Sequence, residues 1–222
     1  MPVDTTVPSE PGWRVLFGYR FLRLRTPVVR RLVQLIPGLI LFGLAIALMV
    51  ASDLGTNPWT VFAQGVAERT GTSVGTIVAL TGLTLLIAFG PLGEPVGLGT
   101  LLNVAIIGPI IDVALAIIGE DHNLITRVLF LGLAPPVLGL ASGLYLGAGL
   151  GPGPRDGLMT AWARRGVPIA RARTMIELTA LAVGWLLGGV VGIGTIYFGL
   201  TVGFWVRTFL ARLQIDRPVS GI

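Results

Sequence analysis

Cysteine is absent from the 222-residue sequence, and histidine occurs once, as His122. Without cysteine the chain has no disulfide bond, no thiolate metal ligand and no cysteine nucleophile. His122 lies in the short polar segment GEDHNL, and no HExxH or GxSxG motif accompanies it to form a zinc site or a serine triad. We therefore interpret His122 as a solvated loop residue and expect no metal, no cofactor and no catalytic reaction.

Charged residues are also scarce, at 12% of the chain, whereas 53% of the residues are hydrophobic and the mean hydropathy is +0.84. This composition is typical of a membrane protein. About 20 apolar residues cross the ~30 Å hydrocarbon core of a bilayer. Six runs reach roughly that length: 33–52, 73–91, 98–118, 127–147, 172–190 and 194–212. We therefore predict an all-α membrane protein with six transmembrane helices and the lipid bilayer as its surroundings.

Lysine is absent too, so all sixteen positively charged side chains are arginines. Fourteen of them lie before the first apolar run, from Arg155 to Arg173 around the segment between the fourth and fifth runs, or at the C-terminal end from Arg207 onward. With six crossings those regions share one side of the membrane, and only Arg69 and Arg127 lie opposite. Arginine accumulates on the cytoplasmic side, so we predict that both termini are cytoplasmic. The net charge of +5 then reflects orientation, and we expect no nucleic-acid partner.

Residues 1–32 form a basic segment ahead of the first apolar run. Tryptophan and arginine are mixed with apolar residues in the stretch GWRVLFGYRFLRLRTPVVRRL. This mixture favours the membrane–water interface, where arginine meets anionic lipid. We predict a cytoplasmic or interfacial segment, for which an interfacial helix is one conformation.

The chain contains an internal duplication. Residues 43–69 align with 139–165 without a gap, and after a one-residue deletion the match resumes. The matched pairs include Gly43 with Gly139, Gly55 with Gly151, Pro58 with Pro154, Leu83 with Leu178, Gly99 with Gly194, and Gly108 with Gly203. Each copy holds three predicted spans, an odd number, so the second copy enters the membrane from the opposite side. We predict two inverted three-helix repeats, at 33–119 and 127–213.

The phrases LGTNPW and LGPGPRD stand at the same place in the two copies, directly after the first span of each. Glycine often ends a helix, and proline in a first turn starts another. The pattern predicts short helices over about 58–70 and 154–165, which are too short at ~1.5 Å per residue to cross a bilayer. We expect each to be interfacial or re-entrant.

Small residues recur every fourth position on the first and fourth predicted spans. The two series are Gly43, Ala47, Ala51 and Gly55, and Gly139, Gly143, Gly147 and Gly151. Smooth faces of this kind allow helices to approach closely in a membrane. We predict that the two spans pack together near a pseudo-two-fold axis.

Three charged residues fall inside predicted spans, where charges are costly and tend to serve a function. Glu177 and Arg207 both lie near the cytoplasmic face, so we predict that they form an ion pair. Asp112 occupies the repeat position of Arg207 and has no opposite charge in its own helix. We leave open whether Asp112 reaches Arg127 or serves as a protonatable coupling site.

Four segments carry a resemblance to a known family: DLGTNPWTVFAQGVAERTG, GLGTLLNVAIIGPIID, GAGLGPGPRDGLMTAWARRG and GIGTIYFGLTVG. From about residue 33 to 212 the chain resembles the YczE-like branch of the YczE/YyaS/YitT bacterial integral membrane proteins, in its actinobacterial form. Similar proteins usually read Pro-Trp-Asp in the first motif, where this chain has Thr60 after Trp59. The resemblance implies a multi-pass protein of the bacterial plasma membrane, sometimes connected with regulation or export in secondary metabolism, and it implies no substrate.

The predicted architecture favours a small-solute secondary transporter or exporter, for an anionic or zwitterionic solute, because inverted repeats with broken helices are typical of transporters. The alternative is a non-transporting membrane scaffold or regulator that binds a partner protein at its arginine-rich cytoplasmic face. A water-accessible cavity between the repeats would favour transport, whereas a packed apolar centre would favour the scaffold. A homo-oligomer is compatible with either.

The duplication keeps the turn residues of the two short phrases and changes their chemistry, from Asn57-Pro58-Trp59-Thr60 to Gly153-Pro154-Arg155-Asp156. Arg155 adds a positive charge to a helix N-terminus, a combination that suits a carboxylate or phosphate group. Asp156 either orients that arginine or meets an amine, and Trp59 offers a stacking surface. We predict a substrate site formed by Asn57, Trp59, Asn103, Arg155 and Asp156. The open alternative makes Arg155 and Asp156 only a salt bridge and helix cap.

The predicted topology is testable with single cysteines in a chain that has none. Cysteines at Ser9 and Arg165 should react with an impermeant thiol reagent only from the cytoplasmic side, and one at His122 only from outside, because this layout places fourteen arginines together. Labelling from outside at position 165 but not at 122 would contradict the inverted repeat.

Overall fold

The computed structural model describes residues 13–16, 19–22, 24, 26–119 and 122–216. Its helices, in chain order, are α1 (Val28–Ser52), α2 (Pro58–Thr70), α3 (Val74–Leu92), α4 (Leu98–Ile118), α5 (Leu124–Gly147), α6 (Pro154–Arg164), α7 (Ile169–Leu186) and α8 (Ile193–Leu213). Three strands accompany them: β1 (Trp13–Leu16), β2 (Tyr19–Leu22) and β3 (Pro95–Val96). The described chain is thus almost entirely helical, as predicted.

Five of these helices, α1, α3, α4, α5 and α8, are long and apolar enough to cross a membrane. They correspond to five of the six predicted spans. The sixth predicted run, 172–190, corresponds to α7, which starts three residues earlier and ends at Leu186, just before Gly188 adopts a positive φ of 109°. Arg171, Arg173 and Glu177 make α7 less apolar than the others.

The two short helices form at the predicted places, each with proline as its first residue. Gly55 and Gly151 do not end the preceding helices as predicted, because α1 ends at Ser52 and α5 ends at Gly147. Both glycines lie in the connecting segments with φ values of 102° and 116°, a conformation that favours glycine.

Asn57 caps α2, because its side-chain oxygen accepts a hydrogen bond from Thr60 N at 3.0 Å. The N-cap of α6 is Gly153, which provides no capping side chain.

The interfacial helix considered for the N-terminal segment is wrong. β1 and β2 pair antiparallel there, and β2 pairs in parallel with β3, the short segment between α3 and α4. The segment is rich in aromatic and branched apolar residues, which suit a pleated strand, and β3 supplies a free edge for pairing. Helix α1 begins only after this sheet, at Val28.

Four long helices form a continuous row. Helices α1 and α5 pack against each other, α4 packs on α1, and α8 packs on α5. The predicted packing of the first and fourth spans is confirmed, since these spans are α1 and α5. Glycines of the two series nevertheless lie at the outer contacts of the row. Gly43 faces Ile110 of α4, whereas Gly139 and Gly143 face Trp205 and Phe209 of α8. Glycine on one helix therefore accommodates a large side chain on its neighbour.

Each short helix packs on a long helix of the other sequence copy, since α2 contacts α7 and α6 contacts α3. Two backbone hydrogen bonds repeat this exchange at corresponding positions. Gly99 N donates to Leu150 O at 2.8 Å, and Gly194 N donates to Leu54 O at 2.8 Å. A Cβ atom at Gly97 would overlap Leu150 O, so these bonds depend on glycine.

We expect Gly97→Ala to lower the unfolding midpoint of the purified protein, because the added methyl group must displace the backbone at Leu150. Overpacking of this kind costs about 1–3 kcal/mol. The matched control is Gly132→Ala on α5, where an added Cβ meets no atom within 4 Å. The control should be neutral or slightly stabilising, because alanine favours a helix. Equal midpoints for both variants would contradict the tight junction.

Candidate functional site

A cavity of about 530 Å³ lies between the row of long helices and the N-termini of α2 and α6. Positions that correspond in the two sequence copies line it in pairs: Phe42 with Leu138, Ile46 with Ser142, Asn57 with Gly153, Trp59 with Arg155, Val78 with Arg173, Gly82 with Glu177, Asn103 with Phe198, and Ile107 with Val202. The cavity is therefore centred between the two copies.

The cavity brings together most of the residues predicted for the site. All five predicted substrate-binding residues line it, as do Glu177 and Arg207, whereas Asp112 does not. The first copy contributes the uncharged groups of Asn57, Trp59 and Asn103. All the charged residues that line the cavity come from the second copy: Arg155, Asp156, Arg173, Glu177 and Arg207.

Arg155 stacks over Trp59, with its guanidinium carbon 5.2 Å from the ring centroid. This contact joins the N-termini of α6 and α2 through a cation–π interaction. Helix α6 has 11 residues and is too short to span a membrane. Burial lowers the pKa of Arg155 to about 10, and Asp156 opposes the change. The guanidinium therefore stays positive at neutral pH.

Asp156 lines the cavity and is exposed there. Burial raises the pKa of this carboxyl group, Arg173 and Arg155 oppose the rise, and Glu177 adds to it. The four side chains thus form one electrostatically coupled group.

Glu177 pairs with Arg173 one helical turn away, at 2.9 Å between Oε1 and Nε. The predicted pair between Glu177 and Arg207 is therefore wrong, because a closer partner lies on the same face of α7. Arg207 lines the same cavity from α8 and forms no ion pair within the described part of the chain.

Asp112 acts at a different place from the cavity. Its carboxylate accepts hydrogen bonds from Gly75 N at 2.8 Å and from Ser73 Oγ at 2.6 Å, at the N-terminus of α3. The proposed contact with Arg127 is wrong, because Arg127 pairs with Asp53 at 2.9 Å. Asp112 therefore holds α4 against α3.

Tyr145 and Arg173 line the cavity and were missed by the sequence analysis. Tyr145 is 2% exposed, and its hydroxyl group has no hydrogen-bond partner. The duplication could have identified both residues, because the corresponding first-copy residues, Met49 and Val78, are apolar. At these two positions a polar residue of the second copy replaces an apolar one and lines the cavity.

Gly153 leaves a small polar recess beside Tyr145. A Cβ atom at Gly153 would lie 2.9 Å from Tyr145 Oη, 3.4 Å from Asn103 Nδ2 and 3.6 Å from Asp156 Oδ2. Three side chains from α4, α5 and α6 therefore converge on one point at the N-terminus of α6. Asn57 does not provide such a recess, since its amide group is occupied with Thr60.

Arg164, the last residue of α6, holds this helix in place. It forms an ion pair with Glu94, which is 2% exposed and also accepts a hydrogen bond from Thr160 Oγ1 at 3.0 Å. This contact fixes α6 to the segment between α3 and β3. Replacement of Arg164 would leave a buried carboxylate without its partner, so Arg164 is unsuitable as a neutral control for variants of the cavity.

Comparison with known proteins gives relatives of similar extent. An uncharacterized protein of Haemophilus influenzae is 36% identical over 77% of this chain and 78% of its own. The uncharacterized membrane protein YczE of Bacillus subtilis is 31% identical over 79% and 83%, respectively. YyaS of the same organism is 26% identical over 80% and 90%. No solved structure matches the chain.

The family of unknown function DUF6198 matches residues 29–211, which include every cavity-lining residue. The match extends over all eight helices except the first residue of α1 and the last two of α8. The membrane character of the chain agrees with the description of YczE as a membrane protein and with the five apolar helices. The chain belongs to the DUF6198 family of YczE-like membrane proteins.

Proposed function

We propose that this protein is a secondary transporter or exporter of a small anionic or zwitterionic solute, which binds in the central cavity and passes by alternating access. The observation that carries the proposal is an asymmetry between the two copies. Helices α3 and α4 are packed together, whereas their counterparts α7 and α8 share next to no contact. The gap between α7 and α8 lies along one side of the cavity, because Arg173 of α7 and Arg207 of α8 both line the cavity.

The proposal assigns six spans in two inverted repeats. The exchanged hydrogen bonds at Leu54 and Leu150 support it, because each copy donates from the same repeat position, and the acceptor in the other copy is also at the same repeat position. Helix α7 provides the sixth span: its 18 residues extend over ~27 Å, close to the thickness of the hydrocarbon core. Arg173 and Glu177 face the cavity, which explains how charged residues are tolerated in this span.

The contact between α3 and α4 indicates how α7 and α8 could come into contact. On α3, a Cβ atom at Gly75 would overlap Gly108 O of α4, so the two backbones are in direct contact. The corresponding residues are Ala170 on α7 and Gly203 on α8. A Cβ atom at Gly203 would meet nothing within 4 Å. Closure of α7 on α8, together with separation of α3 from α4, would move the opening to the opposite end of the cavity.

The arginine distribution supports an inward direction of the opening. With both termini in the cytoplasm of a bacterium, the N-terminus of α7 and the C-terminus of α8 lie at the inner face of the plasma membrane. The α7–α8 gap then opens inward, and Asp112 closes the outer face. We therefore propose that this structure represents the inward-open state.

A scaffold or regulator remains the second candidate. Its partner surface would be the arginine-rich cytoplasmic face, and its centre needs no polar groups. A cavity with five charged lining residues disfavours it, because charges inside a membrane protein are costly unless they serve a pathway or a partner. The transport proposal requires no reaction and no cofactor.

Cysteine chemistry tests alternating access without knowledge of the solute. Ser142 lines the cavity and is 5% exposed, so Ser142→Cys is a conservative reporter. In membrane vesicles we expect this cysteine to react with an impermeant reagent from the cytoplasmic side. In the variant that also carries Ala170→Cys and Gly203→Cys, oxidation should join α7 to α8 and transfer the reactivity to the outside.

The matched control carries Ser142→Cys and Ala170→Cys alone, which cannot form the intended bond. Its reactivity should stay on the cytoplasmic side after oxidation. A reporter that never reacts from outside, although the disulfide bond forms, would contradict transport and favour the scaffold.

A further inference from the structure

The cavity carries an excess of one positive charge. Arg173 is paired with Glu177, and Arg155 lies next to Asp156 on the first turn of α6. Arg207 is the remaining charge and has no acidic partner in the described part of the chain. A ligand with one negative charge would complete the balance.

In the first copy, where α3 and α4 pack together, the residue that corresponds to Arg207 is Asp112. Asp112 accepts hydrogen bonds at the N-terminus of α3, where a carboxylate is favourable. If α7 closed on α8 in the same way, Arg207 would meet the N-terminus of α7, which has no capping side chain and carries Arg171 in its first turn. A cation at that place is unfavourable, and an anion between Arg207 and α7 would remove the repulsion.

The wall of the cavity is mostly apolar beyond the charged groups. The apolar side chains come from the row of long helices and include Phe42, Val104, Leu138, Phe198, Val206 and Leu210. A carboxylate alone fills only a small part of about 530 Å³, and cavities of this size hold ligands with an apolar body.

A second polar contact is available in the cavity, at the recess beside Gly153. The hydroxyl group of Tyr145 is buried without a partner beside the recess at Gly153. Asn103 Nδ2 faces the same recess and has no hydrogen bond in the described part of the chain. An unpartnered buried hydroxyl group is costly, so a ligand that hydrogen-bonds to it is favoured.

We propose that the solute is a water-soluble amphiphilic organic monoanion. Its anionic group binds Arg207 in the α7–α8 gap, its apolar body packs on the long helices, and a polar substituent reaches Tyr145 and Asn103. The inference rests on the proposed transport function, because it makes closure of the gap depend on the bound anion.

The test uses purified protein in phosphatidylcholine nanodiscs and isothermal titration calorimetry with 4-phenylbutyrate as the probe. Two compounds separate the contributions: butyrate lacks the apolar body, and 4-phenylbutylamine reverses the charge. We expect 4-phenylbutyrate to bind at least about tenfold more tightly than either compound. Equal or tighter binding of the amine would overturn the proposal.

Variants locate the binding site. Arg207→Gln should weaken 4-phenylbutyrate binding at least about tenfold, as expected for loss of a charge-assisted hydrogen bond. Arg207→Lys, which keeps the charge, should retain most of the affinity and shows that the position tolerates change. The matched control is Arg212→Gln, an exposed position on α8 that does not line the cavity. Equal affinities for Arg207→Gln and Arg212→Gln would overturn the assignment of Arg207.

Nanodiscs that contain phosphatidylglycerol distinguish a soluble ligand from a lipid headgroup. Unchanged binding supports the soluble anion, whereas loss of binding would show that an anionic lipid fills the site and would overturn the proposal. The two proposals also fail separately. If the probe binds at Arg207 but Ser142→Cys never reacts from outside, the ligand class stands and transport falls. If accessibility alternates but the probe binds no better than the amine, transport stands and the ligand class falls.

Discussion

The exchange of backbone hydrogen bonds between the two sequence copies is the constraint on which the rest of the structure depends. Gly99 and Gly194 donate to Leu150 and Leu54, and glycine at the helix starts makes the approach possible. These bonds place the short helices α2 and α6 with their N-termini toward each other. The cavity, the stacking of Arg155 on Trp59 and the recess at Gly153 all follow from that placement.

Within this frame the two copies have diverged in chemistry and in packing. The first copy is closed between α3 and α4 by glycine contact and by Asp112. The second copy is open between α7 and α8 and supplies all the charged residues of the cavity. Under the proposed alternating access, this divergence makes the two conformations unequal in stability, and a bound solute would change that difference.

The sequence predicted the elements well where local chemistry decides them. Proline after glycine located α2 and α6, and the divergence of the two copies at these helix starts pointed to Trp59 and Arg155, which line one cavity. It overlooked one local pair, Glu177 with Arg173 four residues earlier on the same helix. It also failed where the partner comes from another part of the chain, since Asp112 binds the N-terminus of α3, which no charge pattern marks. The N-terminal segment formed strands because β3 offered an edge that only the folded chain contains.

Reciprocal movement of the two helix pairs is the central claim, and distances between spin labels test it most directly. One label pair stands at Arg171 and Ala211, and the corresponding pair stands at Thr76 and Ala116; all four positions are exposed. Electron–electron double resonance should give a longer distance for the first pair. Arg207→Asp places at α8 the residue type that holds α4 on α3. The account predicts that this substitution shortens the α7–α8 distance and lengthens the α3–α4 distance. An unchanged α7–α8 distance, or a decrease in both distances, would contradict it.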